Sequence, residues 1–395
     1  MITHFHIENF KSLADFDLPP KGQELAGFTC LIGMNGAGKT TLLQAFDFTA
    51  QLMSGKIKEW LAWREWSAED LLTNLGGSKG GCIRLVVDLK LVEQRKARWT
   101  ANFDAKSLRC VTETLTLDGK EILSLRVDGS MEVGMYDMPP DHYSKLPFEF
   151  EGSVLSTLRL EGSHPYLQKV KDAVLGLHSL ELLAPQLIRR SSRESSDIGP
   201  GGERLAGFLS QLTEAQQHDL LTRLRKIYPQ VQNLRIQHKV YGWKGLLVEE
   251  QSMAGHEVTE AHINDGFLRV VAMLSQAYTK HDLLLLDEIE NGINPAVVDE
   301  LMDLLVSLSR EGRQIIVTTH SPVILNYLDD DVARAGVILL FKTPDGRTQS
   351  RRYFDVPENE SKLRALGPGE VFLDTSIEDL VRRLASEKPP SKTAA

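Results

Sequence analysis

Apolar and polar positions change period several times along the chain, and the changes mark its elements. Residues 2–8 (Ile2 to Glu8) and 28–32 (Phe28 to Ile32) read as short strands, and Thr41 to Met53 carries the three-to-four-residue apolar spacing of a helix. A glycine-rich turn separates the second strand from that helix, so the chain opens with a strand, loop, helix unit. From Gly81 to Asp128 the period drops to two, in Ile83 to Leu89 and Thr112 to Leu117, and the dipeptides Asp118-Gly119 and Asp128-Gly129 predict an antiparallel meander. Helical spacing returns over 165–227, as in Leu205, Phe208, Leu209 and Leu212, broken by Pro185 and by the stretch 195–202. Strand character resumes over 231–260 around Tyr241-Gly242-Trp243. Phe267 to Tyr278 (helix), Asp282 to Leu286 (strand), Pro295 to Leu308 (helix) and Gln314 to Thr318 (strand) then alternate as in parallel α/β sheets, and a last strand is expected near Gly336 to Phe341.

The glycine-rich turn carries the first chemistry. Gly33-Met34-Asn35-Gly36-Ala37-Gly38-Lys39-Thr40 places four residues between two glycines and follows them with Lys and Thr, the spacing of a phosphate-binding loop. Backbone N–H groups from Gly33, Asn35, Gly36, Ala37 and Gly38 are expected to curl around phosphate oxygens, with the positive end of the helix entered through Thr41 aimed at them. Lys39 then reaches the β/γ-phosphates, and the Thr40 hydroxyl ligates Mg²⁺.

Such a loop needs an acidic strand end as its partner, and Leu283-Leu284-Leu285-Leu286-Asp287-Glu288 supplies one. Asp287 is the expected Mg²⁺ ligand, directly or through water, and Glu288 the group that orients or deprotonates the attacking water. Ile315 to His320 is a second β-rich run with a polar end, which brings His320 toward a γ-phosphate at the same sheet edge. The other ten histidines show no ligand spacing and read as surface or packed residues.

Composition narrows this picture. Of 395 residues, 42% are hydrophobic and 25% charged, a globular balance, and the net charge of -9 argues against a chain-wide polycationic nucleic-acid binder. Cys30, Cys82 and Cys110 have no C-x-x-C spacing, so neither a disulfide framework nor a structural zinc site is indicated. The first ten residues lack a secretory pattern and no apolar run approaches the ~20 residues of a spanning helix. The expectation is a cytoplasmic protein without a membrane partner.

Together these residues resemble a family: ABC-type ATPase heads, in the soluble branch that includes RecF, the SMC heads and the OLD (overcoming-lysogenization-defect) nucleases. Ile7-Glu8-Asn9-Phe10-Lys11-Ser12 looks like this branch's first strand and turn, Gly33 to Thr40 matches Walker A, Leu283 to Glu288 matches Walker B with its glutamate, Asn291 to Pro295 stands where the D-loop should be, and His320-Ser321-Pro322 is similar to the switch-histidine segment. Ile263-Asn264-Asp265-Gly266-Phe267-Leu268-Arg269 resembles the branch's Ser-x-Gly-x-x-Arg signature, with Asn264 in place of Ser. Asn294 stands where relatives often carry His. The resemblance implies an α/β fold: an ABC-ATPase head with a mixed or parallel P-loop core sheet, an antiparallel β-subdomain and an α-helical lobe. It also implies ATP and Mg²⁺ as cofactors and a two-fold, ATP-dependent dimer in which Lys39 and Thr40 of one subunit and Asn264 and Gly266 of another enclose each ATP, with assembly beyond the dimer left open.

Gly33 and Asp287 must then share one site, so the chain is expected to be a single discontinuous ATPase domain: a P-loop half (1–55), a β-rich insert (56–164), a helical lobe (165–230), a C-terminal half with signature, Walker B and switch histidine (231–345), and a tail (346–395). The 165–227 segment sustains no heptad series, which favours a compact head over an SMC-type coiled coil. The resemblance is nearest in character to OLD-like antiviral-defence ATPases, but no nuclease domain follows His320, so the expected role is a switch acting on a separately encoded effector such as a nuclease. A RecF-like DNA-repair ATPase is the alternative and a transporter ATPase subunit the third reading. Any DNA contact is expected at a local patch: Lys56 to Trp66, where Trp60, Trp63 and Trp66 alternate with Lys56, Lys58 and Arg64 on a helix that otherwise packs on the core, or Arg189, Arg190 and Arg193.

Overall fold

Alternation gives the first strand, Ile2–Phe10, two unlike faces. Phe5 and Ile7 are wholly buried, while His4, His6 and Glu8 project from the other side. The computed structural model describes residues 1–75, 80–133, 141–143, 149–160, 164–177, 179, 180, 182, 184–251, 257–279 and 281–386. They belong to two compact units, Met1–His178 with Asp329–Ala395, and Ser179–Leu328. The last residues of the expected tail, 387–395, lie outside the described residues.

The first unit is built on an antiparallel sheet of eight strands, in the order Leu13–Leu18, Ile2–Phe10, Cys82–Lys90, Lys96–Asp104, Arg109–Leu117, Lys120–Leu125, Met131–Val133, Asp141–Tyr143. From Cys82 onward this is the meander that the period-two pattern predicts. Its apolar face meets the helix Lys39–Ser54: Phe5 lies 4.5 Å from Phe46 and Phe103 meets Phe48 edge-on at 5.1 Å between ring centroids. Each such ring contributes about 1.5–3 kcal/mol by burial. The helix runs from Lys39 because Gly38 ends the loop before it, and it stops at Gly55, whose N–H donates to the Gln51 carbonyl at 3.1 Å. Beside it, Phe28–Ile32 pairs in parallel with Val337–Lys342, which pairs antiparallel with Thr348–Arg352. Residues assigned above to a tail therefore supply a strand and three helices, Pro357–Leu363, Pro368–Leu373 and Ile377–Ser386.

The second unit contains the parallel strands Ser179–Leu180, Leu283–Leu286 and Gln314–Thr318, in that order, and a three-stranded antiparallel sheet, Val231–His238, Lys244–Glu250 and Glu257–Thr259. Leu283–Leu286 is buried along its whole length, as an inner parallel strand requires. The expected helix through Leu212 is shorter, Leu205–Leu209, because Thr213 opens a new helix, Glu214–Ile227, with a capping box to Gln216. Tyr241 stands at the tip of the Val231–Glu250 hairpin in a left-handed conformation (φ 56).

The aromatic helix Ile57–Trp63 settles one expectation. Trp60 is buried and donates to Asp47 at 2.6 Å, and Arg64 forms a buried pair with the same carboxylate at 2.8 Å. Trp66, beyond the helix end, packs edge-on against Trp60 and lies under the Lys11 ammonium. The patch is thus partly consumed in fastening this helix to the one before it, the packing role that its spacing also allowed. Only Trp63, 60% exposed, faces outward among the three tryptophans.

Glu113 occupies an inward, apolar-phase position on Arg109–Leu117 and accepts hydrogen bonds from Trp99 Nε1 (2.9 Å), the Val154 N–H (2.7 Å) and the Ser153 hydroxyl. Burial outweighs these donors and pushes its pKa up to about 7. A carboxyl whose folded pKa is raised contributes stability that is present below its unfolded value and is lost as pH rises through the folded one. Chemical denaturation from pH 4.5 to pH 8 is therefore expected to show a wild-type stability loss on the order of 3 kcal/mol from this group, absent in Glu113→Gln. Equal pH slopes in the two proteins would remove the assignment.

Candidate functional site

In the first unit, Phe28–Ile32 runs into the loop that precedes Lys39. Gly33 (φ 147), Gly36 (φ 77) and Gly38 (φ 108) take conformations that side chains disfavour. Two of them are pinned by space as well: a Cβ on Gly33 would meet the Leu340 carbonyl oxygen at 2.3 Å, and one on Gly38 would meet Thr348 Oγ1 at 2.5 Å. Met34, Asn35 and Gly36 are exposed and Ala37 is buried beneath them. No side-chain hydrogen bond caps the helix N-terminus and no acidic residue lies in its first turn, so its positive end is turned to the loop. Lys39 is buried, with Nζ donating to the carbonyls of Gly33 (2.8 Å) and Met34 (3.3 Å). Thr40 is exposed and Thr41 half-buried.

A residue missed by sequence reasoning holds this loop from below. Thr348, wholly buried, donates from its hydroxyl to the Ala37 carbonyl at 3.0 Å and from its N–H to the Ser12 carbonyl at 2.9 Å, and its Oγ1 lies 2.9 Å from Ser12 Oγ. Ser12 belongs to the Asn9-Phe10-Lys11-Ser12 turn, but Thr348 has no local signal, since only the fold brings it to Ala37.

In the second unit, the strands Leu283–Leu286 and Gln314–Thr318 run in parallel register, Leu286 beside Val317, and end together. Asp287 is buried, and its Oδ1 accepts from the Thr318 hydroxyl at 2.5 Å. Thr318 Oγ1 in turn accepts the Glu288 N–H at 2.8 Å. Glu288 departs from the strand in a left-handed conformation (φ 46), a cost that clusters at functional sites. Its Oε1 lies 3.6 Å from His320 Nε2, and its Oε2 accepts from Asn291 at 3.1 Å. Glu290, also missed by sequence reasoning, accepts the His320 N–H at 2.6 Å.

The signature-like segment belongs to the same unit. Asn264 caps Asp265–Leu274 by accepting the Phe267 N–H at 3.2 Å, and Gly266 leaves no room for a side chain, since a Cβ there would approach the Gly292 carbonyl to 2.6 Å. From that helix, buried Arg269 reaches the Glu288 carbonyl at 3.3 Å. Burial lowers its pKa, opposed by the charges of Glu288 and Glu290. The expected basic cluster divides: Arg189 pairs with Asp265, whereas Arg193 stacks on Trp243.

The loop residues Gly33 to Thr41 are thus assembled in the first unit. Asp287, Glu288 and His320 gather in the second, with Asn264 and Gly266 opening the helix whose Arg269 touches Glu288. The Thr40 hydroxyl and the Asp287 carboxylate are each hard oxygen donors of the kind Mg²⁺ takes.

Comparison with known proteins adds the family context. A family model described as "AAA domain" matches residues 4–129, and one described as "AAA domain, putative AbiEii toxin, Type IV TA system" matches residues 166–326. An energy-coupling factor transporter ATP-binding protein EcfA of Methanothermobacter thermautotrophicus is 27% identical over 100 residues, 25% of this chain and 32% of that protein. The OLD nuclease of Thermus scotoductus is 45% identical over 47 residues, 12% of this chain and 8% of the nuclease. The chain thus spans about a third or less of the length of the curated relatives it matches. Among solved structures, an SMC head bound to the C-terminal winged-helix domain of ScpA superposes with a TM-score of 0.56 at 15% identity, covering 89% of this chain and 96% of that one. The chain therefore has the mixed α/β fold of an SMC head, and AAA-domain models match residues 4–129 and 166–326 of it.

Thr348→Val keeps the side-chain volume and removes the hydroxyl from Ala37. The expected result is a stability loss of about 1–2 kcal/mol together with faster hydrogen exchange at the amides of Ala37 to Lys39. Unchanged exchange there would show that the loop does not depend on this contact.

Proposed function

We propose that this ABC-type, SMC- and OLD-like head is an Mg²⁺-dependent ATPase that works as an ATP-driven dimerisation switch. One observation carries the reading: a glycine loop in left-handed conformations leads into the uncapped positive end of a helix, with Lys39 buried against it. In this reading the amides of the loop and Lys39 hold the phosphates. Thr40 and Asp287 hold Mg²⁺, which neutralises charge on the transferring phosphoryl group. Glu288 takes the proton of the attacking water, and its backbone conformation, the Thr318 contact and the Arg269 contact keep the carboxylate at the strand end. His320, close to Glu288 and tied through its own N–H to Glu290, senses the γ-phosphate. Asn264 and Gly266 of a second subunit close the site, presenting the N-terminus of Asp265–Leu274.

The biological role proposed for the switch is control of a separate nuclease effector in prokaryotic antiviral defence. Support comes from the similarity to an OLD nuclease and from a family model that names a putative toxin of a toxin–antitoxin system. A RecF-like role on DNA is the second reading, with Arg190, Arg193 and Trp243 as the contact, because the aromatic helix Ile57–Trp63 is partly spent on packing. The EcfA likeness supports the nucleotide chemistry that ABC heads share more than a transporter role, since it covers a quarter of the chain.

Glu288→Gln is expected to bind ATP, to remain dimeric in size-exclusion chromatography with light scattering, and to release phosphate at least ~100-fold more slowly, whereas Lys39→Ala fails to bind ATP. Wild-type turnover in Glu288→Gln would show that the base has been misassigned. Co-purification with a nuclease favours the defence role, and stimulation of the ATPase by DNA favours the repair role.

A further inference from the structure

Away from the nucleotide motifs, the polar face of the first hairpin gathers a donor set that the sequence spacing does not announce. Ile2–Phe10 pairs with Leu13–Leu18 so that His6 stands opposite Asp17 and Glu8 opposite Asp15, and it pairs with Cys82–Lys90 so that His4 stands opposite Asp88. His4, His6 and Glu8 share one face by alternation. Among the described residues, one group of His and carboxylate donors converges closely enough to hold a metal ion: ligand atoms of His6, Glu8 and Asp15 all lie within 4.8 Å of one another.

The two nitrogens of His6 are used differently. Nε2 faces Glu8 Oε1 at 2.9 Å, and Glu8 stands opposite Asp15 in the strand register, while Nδ1 faces Asp17 Oδ1 at 2.9 Å. A carboxylate on the far nitrogen fixes the tautomer that leaves Nε2 as a ligand, which is how proteins orient a metal-bound imidazole. Asp17 is held in turn by His4 Nε2 at 3.1 Å and is only 12% exposed. The cations beside the cluster are loose: Arg84 lies 3.3 Å from Glu8 and is 52% exposed, and Lys21 lies 3.9 Å from Asp15 and is 66% exposed. Moving such side chains aside costs little, because exposed pairs contribute ~0–1 kcal/mol. Ligands bonded tetrahedrally to an ion at ~2.0–2.2 Å stand about 3.3–3.6 Å apart, so His6 Nε2 and Glu8 Oε1, at 2.9 Å, need to part only slightly to admit one.

We propose that His6 Nε2, Glu8 and Asp15 form a binding site for a divalent first-row transition metal ion, oriented by Asp17 through His6 Nδ1 and by His4 through Asp17. One imidazole with two carboxylates is a mixed donor set that suits Zn²⁺ or Mn²⁺ over a thiolate-seeking ion, and three protein ligands leave positions for water. The ion would staple the first two strands together across their turn. Ten histidines were expected to be surface or packed residues, and two of them, His4 and His6, have this role because strand pairing supplies the acids that their own neighbourhood lacks.

The test is titration of the nucleotide-free full chain with Zn²⁺ by calorimetry, in a Cys82→Ser background because that thiol is exposed. One ion per chain is expected, with affinity reduced at least ~10-fold in Asp15→Asn and in His6→Gln and ~10–100-fold in Asp17→Asn, which is not a ligand but sets the imidazole. Circular dichroism reports whether each variant is folded, and Asp15, the most exposed of the three ligands, keeps the test valid if His6→Gln is not. Absence of saturable binding, or equal binding by the parent, Asp15→Asn and Asp17→Asn, overturns the site.

Discussion

Gly33 and Gly38 lie so close to the chain's later strands that neither has space for a single methyl group. The phosphate loop is therefore shaped by a surface it does not itself contain: the Leu340 carbonyl on one side and Thr348 on the other. Thr348 and Ala37 are 311 residues apart in sequence. Closing a chain segment of that length costs about 5 kcal/mol in entropy beyond a constant term, an amount that the buried strand Val337–Lys342 offsets readily, since Val337, Ile338, Leu339 and Leu340 are each at most 1% exposed and contribute about 1.5–3 kcal/mol apiece. The loop's conformation and the return of the chain are one event energetically. A side chain at either glycine would strain the loop and push the C-terminal strands away together.

The carboxylate edge follows a different logic. Its two strands end in register, and a single hydroxyl, Thr318 Oγ1, donates to Asp287 and accepts from the Glu288 N–H. The short bridge allows Glu288 to leave the strand in a left-handed conformation that costs on the order of 1–2 kcal/mol for a residue with a side chain. What the departure achieves is direction: the carboxylate turns toward His320 and Asn291 instead of continuing the strand's alternation. Arg269 then ties the backbone of this strained residue to the helix capped by Asn264.

Those parts that follow from local chemistry were legible in the sequence. Strands Phe28–Ile32 and Gln314–Thr318 appear at the residues expected, because an apolar run bounded by turn signals carries its own limits. The cap at Asn264 was readable for the same reason. Parts that depend on register were not. Thr348 sits in a segment without a recognisable pattern, and its importance lies in what the parallel pairing of Val337–Lys342 with Phe28–Ile32 places beside it. Glu290 looks like any solvated acid until the loop after Thr319 brings the His320 N–H to it. The spacing of Trp60, Trp63 and Trp66 suggested one aromatic face with basic residues among them, but the deciding partner was Asp47, which lies on another helix and turns Arg64 and Trp60 inward.

The first hairpin joins these themes, since its register serves both of its faces and its turn. The pairing of His6 with Asp17 and of Glu8 with Asp15 is the same pairing that buries Phe5 and Ile7 against the helix Lys39–Ser54, and a slip by one residue would exchange the two faces completely. It would also displace the turn at Lys11 and Ser12, whose serine meets Thr348 beneath the phosphate loop. Hydrophobic burial alone specifies which face is inward, but it tolerates a slip by two residues, which preserves alternation. Paired charges oppose that slip in one direction, which would set Asp17 opposite Glu8; the other direction keeps imidazoles opposite acids, His4 facing Asp17 and His6 facing Asp15, and there the turn through Lys11 and Ser12 has to hold the register. The polar face of the hairpin thereby adds part of the specificity that the apolar face lacks, and the position of Ser12 under the loop is set in part by imidazole and carboxylate groups that never touch it.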